Sequence, residues 1–129
     1  MANKLPLIAV VDDEEAICRA LKRLIVASHL DVATFPSGQA FLDSLQATRP
    51  DCLVLDLHMP GLSGLDVLRA LTDAGQRIPA IIITGRDEPA SRALCLAAGA
   101  LAYLPKPLDQ AKLLRTIGEA VSDVSGHVE

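Results

Sequence analysis

Short apolar runs rich in β-branched residues alternate with amphipathic stretches along this chain of 129 residues. Leu7-Ile8-Ala9-Val10-Val11 reads as a first strand, after which Ile17, Leu21, Leu24, Ile25 and Ser28 recur at helical spacing. Asp31-Val32-Ala33-Thr34-Phe35 is a weaker second strand. Pro36-Ser37-Gly38 makes a turn, and Phe41, Leu42 and Leu45 mark the next helix. Residues 52–55 form a third strand, and a helix carrying Leu65, Val67, Leu68 and Leu71 follows Ser63. Ala80-Ile81-Ile82-Ile83-Thr84 is a fourth strand. Residues 89–98 are an Ala-rich helix that ends at Gly99, a residue suited to the left-handed position past a helix end. A fifth strand is predicted over residues 101–104 and a last helix over 108–121, with Leu113, Leu114, Ile117 and Val121 on one side.

Five strand–helix units in series imply a parallel sheet with right-handed crossovers and helices on both faces, a three-layer α/β sandwich. Strands one, three and four are apolar almost throughout, as a sheet covered on both sides requires. The length suits one domain, read here as residues 1–122. Residues 123–129 are small and polar and are expected to be a frayed end or the start of a linker.

Composition narrows the function classes. Half of the residues are hydrophobic, enough for a sizeable core, yet Phe35, Phe41 and Tyr103 are the only aromatics. A net charge of −4, a pI near 5.3 and scattered basic residues argue against direct nucleic-acid binding. Cys18, Cys52 and Cys95 are odd in number, widely spaced and in apolar contexts, so they read as reduced core residues rather than a disulfide framework or zinc site. No signal-peptide pattern and no apolar run of membrane-spanning length is present, so a cytoplasmic location without a membrane partner is expected.

The chemistry collects at the carboxyl ends of the predicted strands, where open α/β sheets bind ligands. Strand one runs into Asp12-Asp13, strand three into Asp56, strand four ends at Thr84 and strand five leads to Lys106. Three carboxylates close together repel one another, and a hard divalent cation with room for water relieves this, which suits Mg²⁺. A carboxylate can also attack phosphorus to give an acyl phosphate. That reaction needs a metal and a cation to neutralise the transferring group and a donor to orient it. Asp12, Asp13 and Asp56 would hold the metal, Lys106 would be the cation and Thr84 the hydroxyl donor.

These residues resemble the receiver domains of two-component response regulators. The matching segments are Ile8-Ala9-Val10-Val11-Asp12-Asp13, then Leu53-Val54-Leu55-Asp56-Leu57-His58-Met59-Pro60-Gly61 with Gly64, then Ile81-Ile82-Ile83-Thr84-Gly85, and Tyr103-Leu104-Pro105-Lys106-Pro107. Asp12, Asp56, Thr84 and Lys106 follow one another at intervals of 44, 28 and 22 residues, close to that family's layout. The resemblance covers about residues 6 to 121. It implies a flavodoxin-like (βα)5 fold with strand order 2-1-3-4-5. It also implies that Asp56 is the phosphoacceptor and that Asp12, Asp13, Asp56 and the backbone carbonyl of His58 hold Mg²⁺ or Mn²⁺. Thr84 and Lys106 would contact the phosphoryl group. Tyr103 would be a switch aromatic that turns inward as Thr84 moves, and Lys106-Pro107 would be a cis peptide. The implied partners are a sensor histidine kinase, an output domain outside this chain, and a second copy docking through helix four, strand five and helix five. Residues 34–42 resemble receivers attached to helix-turn-helix transcription regulators, which would make the output domain DNA-binding. The domain itself would be a signalling acceptor rather than an enzyme.

Other readings attach to the same residues. Asp12 or Asp13 could cap the following helix, with Glu15 in its first turn. Thr84 could be an ordinary strand-end threonine, Lys106 part of a surface turn, and Tyr103 plain core. Leu94 and Leu96 cannot both face the same way on one helix, so one of them is expected on a partner surface. Haloacid-dehalogenase-type phosphatases also combine a nucleophilic Asp with Thr or Ser, Lys and an acidic pair. They place a second acid two residues after the nucleophile, where this chain has His58. A receiver-like module that works by contacts alone is the third reading, and the complete acid, Thr and Lys set argues against it.

Overall fold

The computed structural model describes residues 4–126, with side-chain surroundings described to residue 122. Five strands form one parallel sheet in the order β2-β1-β3-β4-β5. The strands are β1 (Leu7–Val11), β2 (Asp31–Phe35), β3 (Cys52–Asp56), β4 (Ala80–Thr84) and β5 (Ala102–Pro105). The helices between and after them are α1 (Glu15–Ala27), α2 (Gly38–Ser44), α3 (Gly64–Asp73), α4 (Pro89–Ala97) and α5 (Gln110–Gly126). This is the doubly wound flavodoxin-like architecture, and it rests on the covered central strands. Every residue of β3 and β4 is buried.

Side chains alternate across the sheet with the strand period of two. Ile8, Val10, Cys52, Val54, Ile81 and Ile83 face α1 and α5, where Leu21, Ile25, Leu113 and Ile117 meet them. Ala9, Val11, Leu53, Leu55 and Ile82 face the other way, onto Phe41, Val67, Leu68 and Cys95 from α2, α3 and α4. Both layers are apolar, so a one-residue slip in any central strand would exchange its two core faces without exposing charge. Register is instead held at the strand ends, where β1 and β3 run directly into carboxylates.

Several boundaries differ from the sequence pattern, and β3 reaches Asp56 and α4 stops at Ala97, each one residue from its predicted end. β5 is Ala102–Pro105 rather than residues 101–104. Pro105 is tolerated because β5 is an edge strand that needs no donor there. The last helix starts at Gln110, since the Asp109 carboxylate accepts from the Lys112 N–H at 3.1 Å and caps it. It then continues to Gly126, through residues 123–126 that their polarity marked as a tail. Polar residues without proline leave a helix free to run on, and polarity reports exposure rather than chain direction. Residues 127–129 lie outside the described residues. No helix among the described residues is long and apolar enough to cross a membrane.

Candidate functional site

Asp12 and Asp56 come together because β1 and β3 are neighbours in register, Val11 opposite Leu55. Asp12 directly follows β1, and Asp56 ends β3. Both are almost fully buried, with relative exposures of 0% and 4%. A close approach sets the loop beyond Asp56. The Leu57 N–H donates to the Ile83 carbonyl and the Gly64 N–H to the Leu57 carbonyl, each at 2.9 Å. A Cβ on Gly64 would stand 2.7 Å from the Asp56 carbonyl oxygen, so only glycine lets α3 begin there. The first turn of α3 is closed by a capping box between Ser63 and Asp66.

Lys106 reaches this pair from the far edge of the sheet. Its N–H donates to the Thr84 carbonyl at 2.7 Å, and the Lys106-Pro107 peptide is cis. The ammonium lies 3.2 Å from Asp12 Oδ2 and 3.3 Å from Asp56 Oδ1, bridging the two buried acids. Glu14 adds a third carboxylate at 3.5 Å from the exposed side. Asp12 Oδ1 accepts from the Glu14 N–H at 2.9 Å, and its carbonyl accepts from the Cys18 thiol. Asp12 therefore braces the residue that precedes α1 rather than capping the helix itself, since Glu14 occupies the cap position. Asp13 is exposed, and its carboxylate oxygen lies with those of Asp12 and Asp56 in a group whose members are all within 4.8 Å of one another.

The electrostatics of the cluster are strained. Burial first, and then the Asp12 charge, push the Asp56 carboxyl up to about 6 against the pull of Lys106. Burial also raises the Asp12 carboxyl, although the Glu14 N–H and Lys106 oppose it. Burial alone would lower the Lys106 ammonium, but Asp56 and then Asp12 outweigh it and hold it above its ordinary value. One ammonium thus shares two buried acids, with further carboxylates at the rim. A divalent cation fits this donor set: three carboxylates at close range, one of them exposed, leave an open side for water ligands.

Thr84 ends β4 fully buried, but its hydroxyl is engaged locally. It donates to the Arg86 carbonyl and accepts from the Arg86 N–H, both at 3.0 Å. Tyr103, opposite Ile82 in β5, is already turned inward at 3% exposure. Its hydroxyl donates to that same Arg86 carbonyl at 3.5 Å, and the Arg92 guanidinium lies over its ring at 5.5 Å from the centroid. The His58 side chain is exposed.

The sequence reading missed Glu14, Arg92 and the Cys18 thiol on the Asp12 carbonyl. Glu14 was visible only as a further acid in the run that begins at Asp12. Arg92 had no local signal, because its contact crosses from α4 to β5. Leu94 and Leu96 are both exposed, at 50% and 44%, where only one was expected at the surface. The reason is that α4 buries Cys95 alone, so helical phase puts neither leucine inside. The three cysteines are free and buried, and burial pushes the Cys52 thiol up to about 12, as befits inert core residues.

Comparison with known proteins agrees with this geometry. The family model described as the response regulator receiver domain matches residues 8–118. The response regulator protein TodT of Pseudomonas putida is 35% identical over 121 residues, covering 94% of this chain and 53% of the relative. The response regulator MprA of Mycobacterium avium is 41% identical over 107 residues, covering 83% and 47%. The chain therefore spans about half the length of these curated relatives. A solved response regulator receiver protein from Burkholderia phymatum is 42% identical with a TM-score of 0.80, covering 91% of this chain and 95% of that one. An acidic pair, a strand-end aspartate and a bridging lysine on a sheet of this order, matched over most of their length by that model and those relatives, place the chain in the response regulator receiver domain family.

Proposed function

We propose that this domain is a phosphorylation switch in which Asp56 accepts a phosphoryl group from a sensor histidine kinase. The observation that carries the reading is the Lys106 ammonium, shared between Asp12 Oδ2 and Asp56 Oδ1. It keeps the Asp56 carboxylate beside a cation at the open end of the sheet. A carboxylate oxygen of Asp56 forms the bond to phosphorus while the donor's P–N bond breaks, and the electron pair leaves with the imidazole. With acetyl phosphate the P–O bond breaks instead and acetate leaves. Asp12, Asp13 and Asp56, with the His58 carbonyl, are the groups to hold Mg²⁺ or Mn²⁺, which supplies charge neutralisation on the transferring group. Lys106 then exchanges a carboxylate partner for a phosphoryl oxygen. Thr84 turns its hydroxyl from the Arg86 carbonyl towards the phosphoryl group.

The donor protein has an apolar seat beside the site. A groove of about 230 Å³ between α1 and the start of α5 is lined by Ile17, Leu21, Leu24, Pro107 and Leu108, with Lys106 at its edge. On the other side of the molecule, Leu94, Leu96 and Leu101 are exposed at α4 and the entry to β5. That face, continuing to α5, is the one to carry the switched state to an output domain or a second copy. The resemblance of residues 34–42 makes a DNA-binding output the preferred reading, in a cytoplasmic regulator whose receiver spans residues 1–122.

Incubation with Mg²⁺ and acetyl phosphate, followed by intact mass, tests this. One phosphoryl mass is expected on the wild type and none on Asp56→Asn or in chelator. Continuous phosphate release over many turnovers without an accumulating adduct would favour a phosphatase. No adduct and no metal binding would favour a contact-only module.

A further inference from the structure

Thr84 and Tyr103 share one acceptor, the Arg86 carbonyl, at 3.0 and 3.5 Å. Thr84 is engaged with Arg86, its hydroxyl directed to a local carbonyl. Tyr103 is nevertheless inside, at 3% exposure. Something other than a displaced threonine keeps it there. Its hydrogen bond to the Arg86 carbonyl, at 3.5 Å, is at the weak limit of such contacts. The better-placed contact is the guanidinium of Arg92, 5.5 Å from the ring centroid. Arg92 sits in α4 one turn before Leu96 and is itself exposed, so it closes over the ring from the solvent side. Beneath, Tyr103 packs in the same core layer as Cys95 and Ala100. The ring is thus held between an apolar floor and a cationic cover.

We infer that Arg92 is a positioning residue of the switch: it braces Tyr103 inward before any phosphoryl group arrives, and so sets the resting balance of the two states. This rests on the phosphorylation-switch reading above. An exposed cation–π contact of this kind changes an in/out ratio about two- to fivefold. Removing Arg92 should therefore lower the in/out ratio by that factor, and phosphorylation should then produce a larger change in Tyr103 than it does in the wild type. Arg92 lies on the surface of α4, so its loss should leave the fold intact.

The chain has one tyrosine and no tryptophan, so intrinsic fluorescence reports on Tyr103 alone. Acrylamide quenching, with a neutral quencher unaffected by the lost charge, should be compared for the wild type, Arg92→Ala and Arg92→Lys, before and after Mg²⁺ and acetyl phosphate. Arg92→Ala should quench more strongly at rest and return towards the wild-type value on phosphorylation, and Arg92→Lys should fall nearer the wild type throughout. Resting quenching equal in Arg92→Ala and wild type, or as strong in Arg92→Lys as in Arg92→Ala, would overturn the inference. Intact mass on the same samples separates the two levels of the argument. A wild type that takes up no phosphoryl group defeats the switch reading, whereas normal uptake with unchanged quenching defeats only the role of Arg92.

Discussion

Replacing Asp56 by Asn should stabilise the metal-free protein while abolishing the switch. The Asp56 carboxyl stands at about 6 in the fold, against about 3.9 in an unfolded chain. The native state therefore binds more protons than the unfolded state between those two values. Stability rises as pH falls through that window, because the buried charge is being removed, and the penalty is fully present above pH 6. At neutral pH the difference corresponds to about 3 kcal/mol of destabilisation. The carboxylate is 4% exposed, so solvent screening takes little from this. That figure already includes the pull of Lys106 at 3.3 Å, and Lys106 keeps Asp12 and Glu14 as partners when Asp56 becomes Asn. A net gain of about 1–3 kcal/mol for Asp56→Asn at pH 7.5 is the expectation.

Urea unfolding followed by circular dichroism, in chelator at pH 7.5 and at pH 4.5, reads this directly. Asp56→Asn should be the more stable protein at pH 7.5, and the gap should narrow by about 2 kcal/mol at pH 4.5, where wild-type Asp56 is protonated in the fold. Mg²⁺ should raise wild-type stability more than it raises that of Asp56→Asn, since the metal binds only the folded cluster. An Asp56→Asn variant less stable than wild type at pH 7.5 in chelator, or a gap independent of pH, would refute the reasoning.

Lys106→Met removes the cation shared by two buried acids. It should destabilise the metal-free fold by about 2–3 kcal/mol near neutral pH and by less at pH 5, as measured by urea titration at both values. Gly64→Ala drives a Cβ to 2.7 Å from the Asp56 carbonyl oxygen, a backbone atom that cannot step aside. It should cost about 1–3 kcal/mol in thermal or urea unfolding and slow acetyl phosphate uptake by displacing Asp56. Gly118→Ala provides the contrast: the new methyl meets nothing within 4 Å inside α5, so unfolding should show a gain of about 0.5–1 kcal/mol.

How legible these features were in the sequence depended on whether their signal was local. The strands were readable because their apolar runs are short, β-branched and bounded by turns. Asp12, Asp13, Asp56 and Lys106 were readable as a cluster because a parallel sheet gathers the carboxyl ends of its strands at one edge. Lys106 meets Asp12 although the two lie 94 positions apart in the chain. The hidden features are side-chain choices across elements. Glu14 brings its carboxylate to 3.5 Å from the Lys106 ammonium while staying exposed, and Arg92 folds over a ring on β5. His29, just past α1, adopts a left-handed φ of 63° where a pattern reader would look for glycine. The α5 extension was hidden for another reason: its last residues are polar, and a polar segment can be helix or coil with equal periodic evidence.

Asp56 is the centre of the account, and the site of modification tests it most directly. The wild type should be treated with Mg²⁺ and acetyl phosphate, digested, and sequenced by tandem mass spectrometry. A single phosphoryl group on the peptide containing residues 52–59, located at Asp56 and absent when chelator is present, is the expected result. A phosphoryl group on Asp12, Asp13 or another residue, or none at all under conditions where Mg²⁺ binds, would contradict it.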